Sequence, residues 1–150
     1  FHKNFRNMSN IVEDRKHAVR EEYGYFNDPQ ELFEYIIAKN KSAKNLDDQF
    51  KREEFLVKGC VSSLWLVPNF DKSANKCHFK SDADSIITRG VADLVCGLYD
   101  GLTPDEVLKL DPKFLEEIGI SSHLSPNRRN GLSQLCGKIH DFAAACKNSQ

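Results

Sequence analysis

The side chains with most chemistry to offer are five cysteines, Cys60, Cys77, Cys96, Cys136 and Cys146. Their number is odd, their spacing is wide and no C-x-x-C pair occurs, which predicts a reducing compartment rather than a disulfide scaffold. Cys96, Cys136 and Cys146 fall on or beside apolar stripes of helical period and read as small core hydrophobes. Cys77 sits in a strand-like stretch beside His78. Neighbouring strand residues point to opposite faces, so these two do not easily share a metal, and Cys77 reads as structural. Cys60 differs. It follows Gly59, where the backbone can turn, and it stands where a charged stretch meets the most apolar run of the chain. The adjacent Lys58 would favour a thiolate. No histidine or carboxylate lies near enough in sequence to form a nucleophile and base pair. No compact set of three or four ligands supports a zinc or iron-sulfur site. Spacing alone therefore leaves Cys60 between two readings, a reactive thiol and a packed core residue.

Other side chains stand out. Asp82 or Asp84 is expected to cap a helix, and Arg89 falls on the polar side of that helix. Arg128 and Arg129 occupy the first turn of the last helix, where a cation opposes the helix dipole and so points to a role elsewhere. His123 precedes the same helix as a loop or capping residue.

The elements that must position these residues follow from pattern. Residues 9–25 are weakly amphipathic and predict a marginal helix. Asp28-Pro29 is a cap followed by an N1 proline, and Leu32, Phe33, Ile36 and Ile37 share one face, so a helix runs to about Lys39. Residues 40–54 read as a loop with one helical turn near 47–52. A short strand at 55–57 is interrupted by Gly59, and residues 62–68 resume as a strand. Residues 68–75 carry turn chemistry and predict a hairpin loop, with the return strand at 76–81. There Cys77 and Phe79 share one face while His78 and Lys80 share the other.

Ile86, Ile87, Gly90, Val91, Leu94, Val95 and Leu98 trace a stripe wide enough for a central, heavily buried helix that Gly101 ends. Thr103-Pro104 and Asp111-Pro112 each open a short helix, Gly119 closes the second, and Ser125-Pro126 opens the last. Leu132, Leu135, Cys136, Ile139, Phe142 and Cys146 lie along one face of that last helix. Strands segregated from helices predict an α+β domain: a small antiparallel sheet of about three strands with helices packed on one face.

Composition bounds the rest. The chain has 150 residues and a formal net charge of -1, with 40% apolar and 29% charged residues. That is enough for one domain with a real core, and it gives no support to nucleic-acid binding driven by overall charge. No apolar run approaches the length of a membrane span. Residues 1–7 are expected to be a tag or leader remnant, with Met8 an available start and residues 8–150 forming the single domain. The compartment is expected to be cytoplasmic, or an organelle if residues 1–7 belong to a leader.

Several stretches together resemble the SufE-type sulfur-acceptor proteins, which partner cysteine desulfurases in iron-sulfur cluster assembly. Gly59-Cys60-Val61-Ser62-Ser63-Leu64-Trp65 is similar to the family's Gly-Cys-x-Ser-x-Val-Trp segment around the acceptor cysteine. Asp82-Ala83-Asp84-Ser85-Ile86-Ile87-Thr88-Arg89-Gly90 is similar to its Ser-Asp-Ala-x-Ile-x-Lys/Arg-Gly stretch. Tyr99 to Glu106 matches its helix-to-helix turn. His123-Leu124-Ser125-Pro126-Asn127-Arg128 and Gly131-Leu132 resemble its His-Leu-Ser/Thr-Pro-Ser-Arg-x-x-Gly-Leu signature, and Tyr35-Ile36-Ile37 is similar to its Tyr-x-Tyr-Ile-Ile helix. The resemblance covers about residues 28–142. The chain departs from the pattern at Val61, where glutamine is usual, and at Ala83 and Asn127, each in place of serine.

The resemblance implies a fold shared with the IscU-type scaffolds. It also implies a mechanism: the Cys60 thiolate takes the terminal persulfide sulfur of a pyridoxal-phosphate-dependent, SufS-type cysteine desulfurase, stimulates that enzyme and passes the sulfur to a downstream cluster scaffold. The protein itself would be a carrier, not an enzyme, with no cofactor or metal of its own and no nucleic-acid or membrane partner. Family members shelter the acceptor cysteine in a pocket and expose it on docking. Asp84, Arg89, His123 and Arg128 become candidates for partner binding or for positioning the thiol loop. The alternative is an IscU-type cluster scaffold, which would need several ligands around one site.

Overall fold

The computed structural model describes residues 2–40, 46–58 and 63–149, with side chains from residue 11 onward. Helix α1 (His2–Tyr23) is followed by α2 (Pro29–Lys39), the hairpin strands β1 (Leu64–Asp71) and β2 (Lys76–Ala83), and then α3 (Ile86–Tyr99), α4 (Pro104–Lys109), α5 (Lys113–Glu117) and α6 (Pro126–Asn148). The α+β class holds, with helices on one face of a small antiparallel sheet, but among the described residues the sheet has two strands rather than about three.

In place of a strand at 55–57 there is a 3-10 turn, Glu53–Phe55, and one bridge from Leu56 to Trp65. Pro68 corrects the expected hairpin loop. Pro68 lies inside β1, opposite Phe79. The Phe79 N–H turns away from β1 to the Asp100 carboxylate at 2.9 Å. This is therefore a non-hydrogen-bonded pair, and the absent proline N–H faces the outer edge, where it costs no ladder bond. The connection shrinks to residues 72–75, where Asp71 accepts from Ser73 N at 3.1 Å and Ser73 Oγ at 2.7 Å.

Alternation along β2 is as expected: Cys77 and Phe79 are buried, His78 is half-buried and Lys80 exposed. The strand runs two residues further than predicted, so neither Asp82 nor Asp84 caps α3. Ser85 does, accepting from Thr88 N. Helix α3 packs across β2 and is the central buried helix, although Ile86 at its start is exposed. Gly90 lets α2 approach α3, since a Cβ there would stand 3.3 Å from Ile36 Cγ2. Gly101, at φ 79, turns the chain out of α3 in a conformation that favours glycine.

Three other caps read from sequence do form: Asp28 on α2, a full capping box of Thr103 and Glu106 on α4, and Ser125 on α6. Helix α1 is longer than its weak pattern suggested and includes residues 2–7. Its anchor is Arg15, whose guanidinium donates to the Gly97, Leu98 and Asp100 carbonyls at 3.2, 3.1 and 2.6 Å. These are the bare carbonyls at the C-terminus of α3, where the helix dipole favours a cation.

Two outcomes follow. Arg15→Ala should cost about 1–3 kcal/mol, since a charged donor to backbone carbonyls is lost; a thermal midpoint equal to wild type would contradict the anchor. The second concerns Asp93 on α3. Burial raises its carboxyl from 3.8 to about 6, against a smaller opposing effect of the Ser81 hydroxyl, 3.3 Å from Oδ1. The unfolded chain ionises this group first, so the native state holds the extra proton and stability falls as the pH rises from about 4 to about 6. Asp93→Asn should remove a decline on the order of 1–2 kcal/mol across that window, read by urea unfolding at both ends.

Candidate functional site

The chain leaves the described structure at Lys58 and returns at Ser63, so Cys60, with Gly59 and Val61, lies outside the described residues. The two ends are tied to each other and to their surroundings. Val57 N donates to Leu64 O at 2.7 Å, Asp84 N donates to Ser63 O at 3.0 Å, and the ammonium of Lys138 on α6 donates to Leu56 O at 2.9 Å. Cys60 is three residues from Ser63, and three residues of chain span at most about 10 Å. Whatever Cys60 does is done close to this end of the hairpin.

An apolar cleft opens there. Leu64, Ile87, Val91, Leu124, Leu132 and Leu135 line it, with Arg128 among them. Its free volume is about 20 Å³, which is room for about one water molecule. The cleft therefore suits a small apolar side chain rather than a substrate molecule. It exists because β1, α3 and α6 meet at Leu64: Leu64 is 1% exposed, and Leu135 on α6 is likewise 1% exposed.

On the opposite face of the hairpin lies a buried charge. Asp82 is 1% exposed. Its Oδ1 accepts from Ala83 N at 2.8 Å and from Arg89 Nε at 3.1 Å. Its Oδ2 has the Lys51 ammonium 3.3 Å away as counter-charge. Arg89 also donates twice to Ala83 O, at 3.2 and 3.0 Å. Lys51 in turn stands over the Trp65 ring, 5.7 Å from its centroid, a cation-π distance.

The sequence-predicted residues are distributed as follows. Asp84 is exposed and reaches the Cys60 segment through its backbone N–H. Arg89 braces β2 through Asp82 and Ala83. Arg128 is exposed in the first turn of α6 and lines the cleft, with no ion-pair partner among the described residues. His123 is not brought to the cleft. It is exposed, and its ring lies over Gly119, where an added Cβ would stand 3.5 Å from His123 Cδ2. Sequence reasoning missed three residues. Asp82 was weighed only as a cap, because the strand was ended too early. Lys51 and Lys138 carried no local signal, since their partners are distant in sequence.

The other four cysteines are buried and unpaired. Burial pushes Cys77, Cys96 and Cys136 up to about 12, and raises Cys146. Such thiols stay protonated at neutral pH and are poor nucleophiles. Among the described residues, no three His, Cys, Asp or Glu side chains converge as metal ligands, and no helix is long and apolar enough to cross a membrane.

Comparison with known proteins agrees with the motifs. The SufE family, described as an Fe-S metabolism associated domain, matches residues 17–143. SufE-like protein 1, chloroplastic/mitochondrial, from Arabidopsis thaliana is 36% identical over 105 residues, which is 70% of this chain. The matched stretch spans 28% of that relative's length. Among solved structures, the solution structure of a hypothetical protein from Thermus thermophilus superposes with a TM-score of 0.72 at 13% identity, covering 89% of this chain and 96% of that one, and so shares the fold. A family match over most of the chain, together with a relative 36% identical over 70% of it, places the protein: it belongs to the SufE family.

Proposed function

We propose that this chain is a sulfur acceptor, taking persulfide sulfur from a cysteine desulfurase onto Cys60, stimulating that enzyme and passing the sulfur on for iron-sulfur cluster assembly. The observation that carries the reading is the closed root of the Cys60 segment. Val57 on the outgoing side bonds to Leu64 on the returning side, Leu64 and Arg128 line one apolar cleft, and the four remaining thiols are buried.

The chemistry is thiol exchange. The Cys60 thiolate attacks the terminal sulfur of the partner's persulfide, a new S–S bond forms on Cys60, the partner's S–S bond breaks, and its cysteine departs as the thiolate. Oxidation state is conserved, so the step needs no oxidant or reductant. A thiol resting in an apolar cleft would have a raised pKa and stay inert until a partner drew it out. The cleft beside Leu64 is within the reach of Cys60 and suits that use.

Arg128 is the residue we assign to docking or to stabilising the exchanging sulfurs. It is a cation placed against its helix dipole, and no carboxylate among the described residues neutralises it. Asp84 and Arg89 brace the point where the chain returns, and His123 is assigned to the outer docking surface. The desulfurase is expected to be the pyridoxal-phosphate-dependent, SufS-type enzyme, with a cluster scaffold downstream. A scaffold role for this chain would require three or four converging ligands; the acceptor role requires one thiol. The compartments named for the plant relative favour an organelle over the cytoplasm.

Intact mass after incubation with a desulfurase and free cysteine should show the gain of one or more sulfur atoms, lost on reduction and absent in Cys60→Ser. Sulfur uptake and stimulation by Cys60→Ser would overturn the assignment. Arg128→Ala should lower the stimulation roughly tenfold or more, on the order of a lost charge-assisted contact, while leaving the thermal midpoint near wild type because the side chain is exposed. A fully stimulating variant would remove Arg128 from the site.

A further inference from the structure

We propose that Cys77 and Cys146 form a reversible disulfide when the protein meets a small hydroperoxide, a staple that ties the start of β2 to the last turn of α6. The two thiols are partners across that interface. The hydrogen bond between them raises the Cys77 thiol and lowers that of Cys146, so Cys77 donates and Cys146 accepts. The neighbouring contact has the same register. Phe79 and Phe142 pack edge to face with ring centroids 5.8 Å apart. Phe79 is two residues beyond Cys77 on the same face of β2, and Phe142 is one helical turn before Cys146 on α6. The aromatic pair and the thiol pair are successive rungs between one strand face and one helix face.

The strand side of the thiol rung is held firmly. Cys77 N donates to Leu102 O and Gly101 N donates to Cys77 O, each at 2.8 Å. On the other side α6 ends at Asn148, and a last turn without further intrahelical bonds has room to adjust. Cys146 is 8% exposed and Cys77 0%, so an oxidant meets Cys146 first, and the narrow opening suits a peroxide rather than a bulky disulfide. Cys96 and Cys136 are placed differently. The hydrogen-bond partner of Cys96 is Ser81, and Cys136 is shifted by burial alone. The reaction balances within the Cys77 and Cys146 pair. The Cys146 thiolate attacks one peroxide oxygen: an S–O bond forms, the O–O bond breaks, and hydroxide leaves and takes up the thiol's proton as water. Cys77 then attacks the sulfenic sulfur: an S–S bond forms, the S–O bond breaks, and the hydroxyl leaves with the Cys77 proton as a second water. Each sulfur is oxidised by one electron and each peroxide oxygen is reduced by one. Burial keeps both thiols protonated at neutral pH, so the staple forms slowly and forms faster as the pH rises.

The test is to treat the reduced protein with hydrogen peroxide, remove the peroxide, and map the peptides by mass without reduction. A peptide linking Cys77 to Cys146 should appear and should return to two thiols with dithiothreitol. The thermal midpoint should rise by roughly 5–10 °C, the shift expected when a disulfide closes a long loop. Cys146→Ser should lose both the linked peptide and the gain in midpoint, with Cys77 still reduced. Cys77→Ala should stop at the sulfenic acid of Cys146, trapped as its dimedone adduct. If that variant does not fold, Cys146→Ser still decides the matter, because its site lies in the last turn of a helix. Cys60→Ser should form the staple as wild type does, which separates it from any disulfide made through Cys60. Failure of Cys77 and Cys146 to link, linked peptides that join other cysteines instead, or an equal rise in midpoint for Cys146→Ser would each overturn the proposal.

Discussion

A two-stranded ribbon is marginal alone in water, and everything near the candidate site depends on how this one is covered. Helix α3 lies across one face, where Cys77, Phe79, Ser81 and Ala83 point inward. The opposite face is closed at one end by charge: Lys51 and Arg89 meet the Asp82 carboxylate beside Trp65. Apolar burial supplies the stability of the hairpin, and at its open end the core residues Val57 and Leu64 are joined by a backbone bond. The described chain on either side of the Cys60 segment, Lys58 and Ser63, lies at that end.

The four described thiols share one environment. Cys77, Cys96, Cys136 and Cys146 are absorbed into the core between β2, α3 and α6, where low polarity holds the proton on sulfur. Cys60 lies on the connection between Lys58 and Ser63, outside the described residues. In a sulfur carrier a single thiol must reach a partner's persulfide, while the remaining thiols must not compete for the sulfur.

Local chemistry made much of this legible in the sequence. Asp28-Pro29, Thr103-Pro104 and Ser125-Pro126 each act within one turn of chain, so their helices begin where the residues say. Alternation at Cys77 to Lys80 sorted the faces of β2 for the same reason. The errors lie where distant groups decide. Pro68 reads as a turn residue but sits in β1 with its missing N–H toward the outer edge, where it is harmless. Asp82 reads as a helix cap, yet the strand continues past it and two cations from elsewhere meet it. Arg15 is an ordinary helical arginine in sequence, and only the fold brings the open end of α3 to it. Of the four residues expected around the thiol, the structure gathers Asp84, Arg89 and Arg128 at the open end of the hairpin and leaves His123 over Gly119.

The central claim is that Cys60 receives sulfur from another protein's persulfide. A desulfurase loaded in advance with persulfide and freed of cysteine, mixed with this protein at equal concentration, tests it most directly. The sulfur lost from the desulfurase should appear on the peptide containing Cys60 in matching amount within one turnover. Sulfur that stays on the desulfurase, or that appears on any of the other four cysteines instead, would contradict the account.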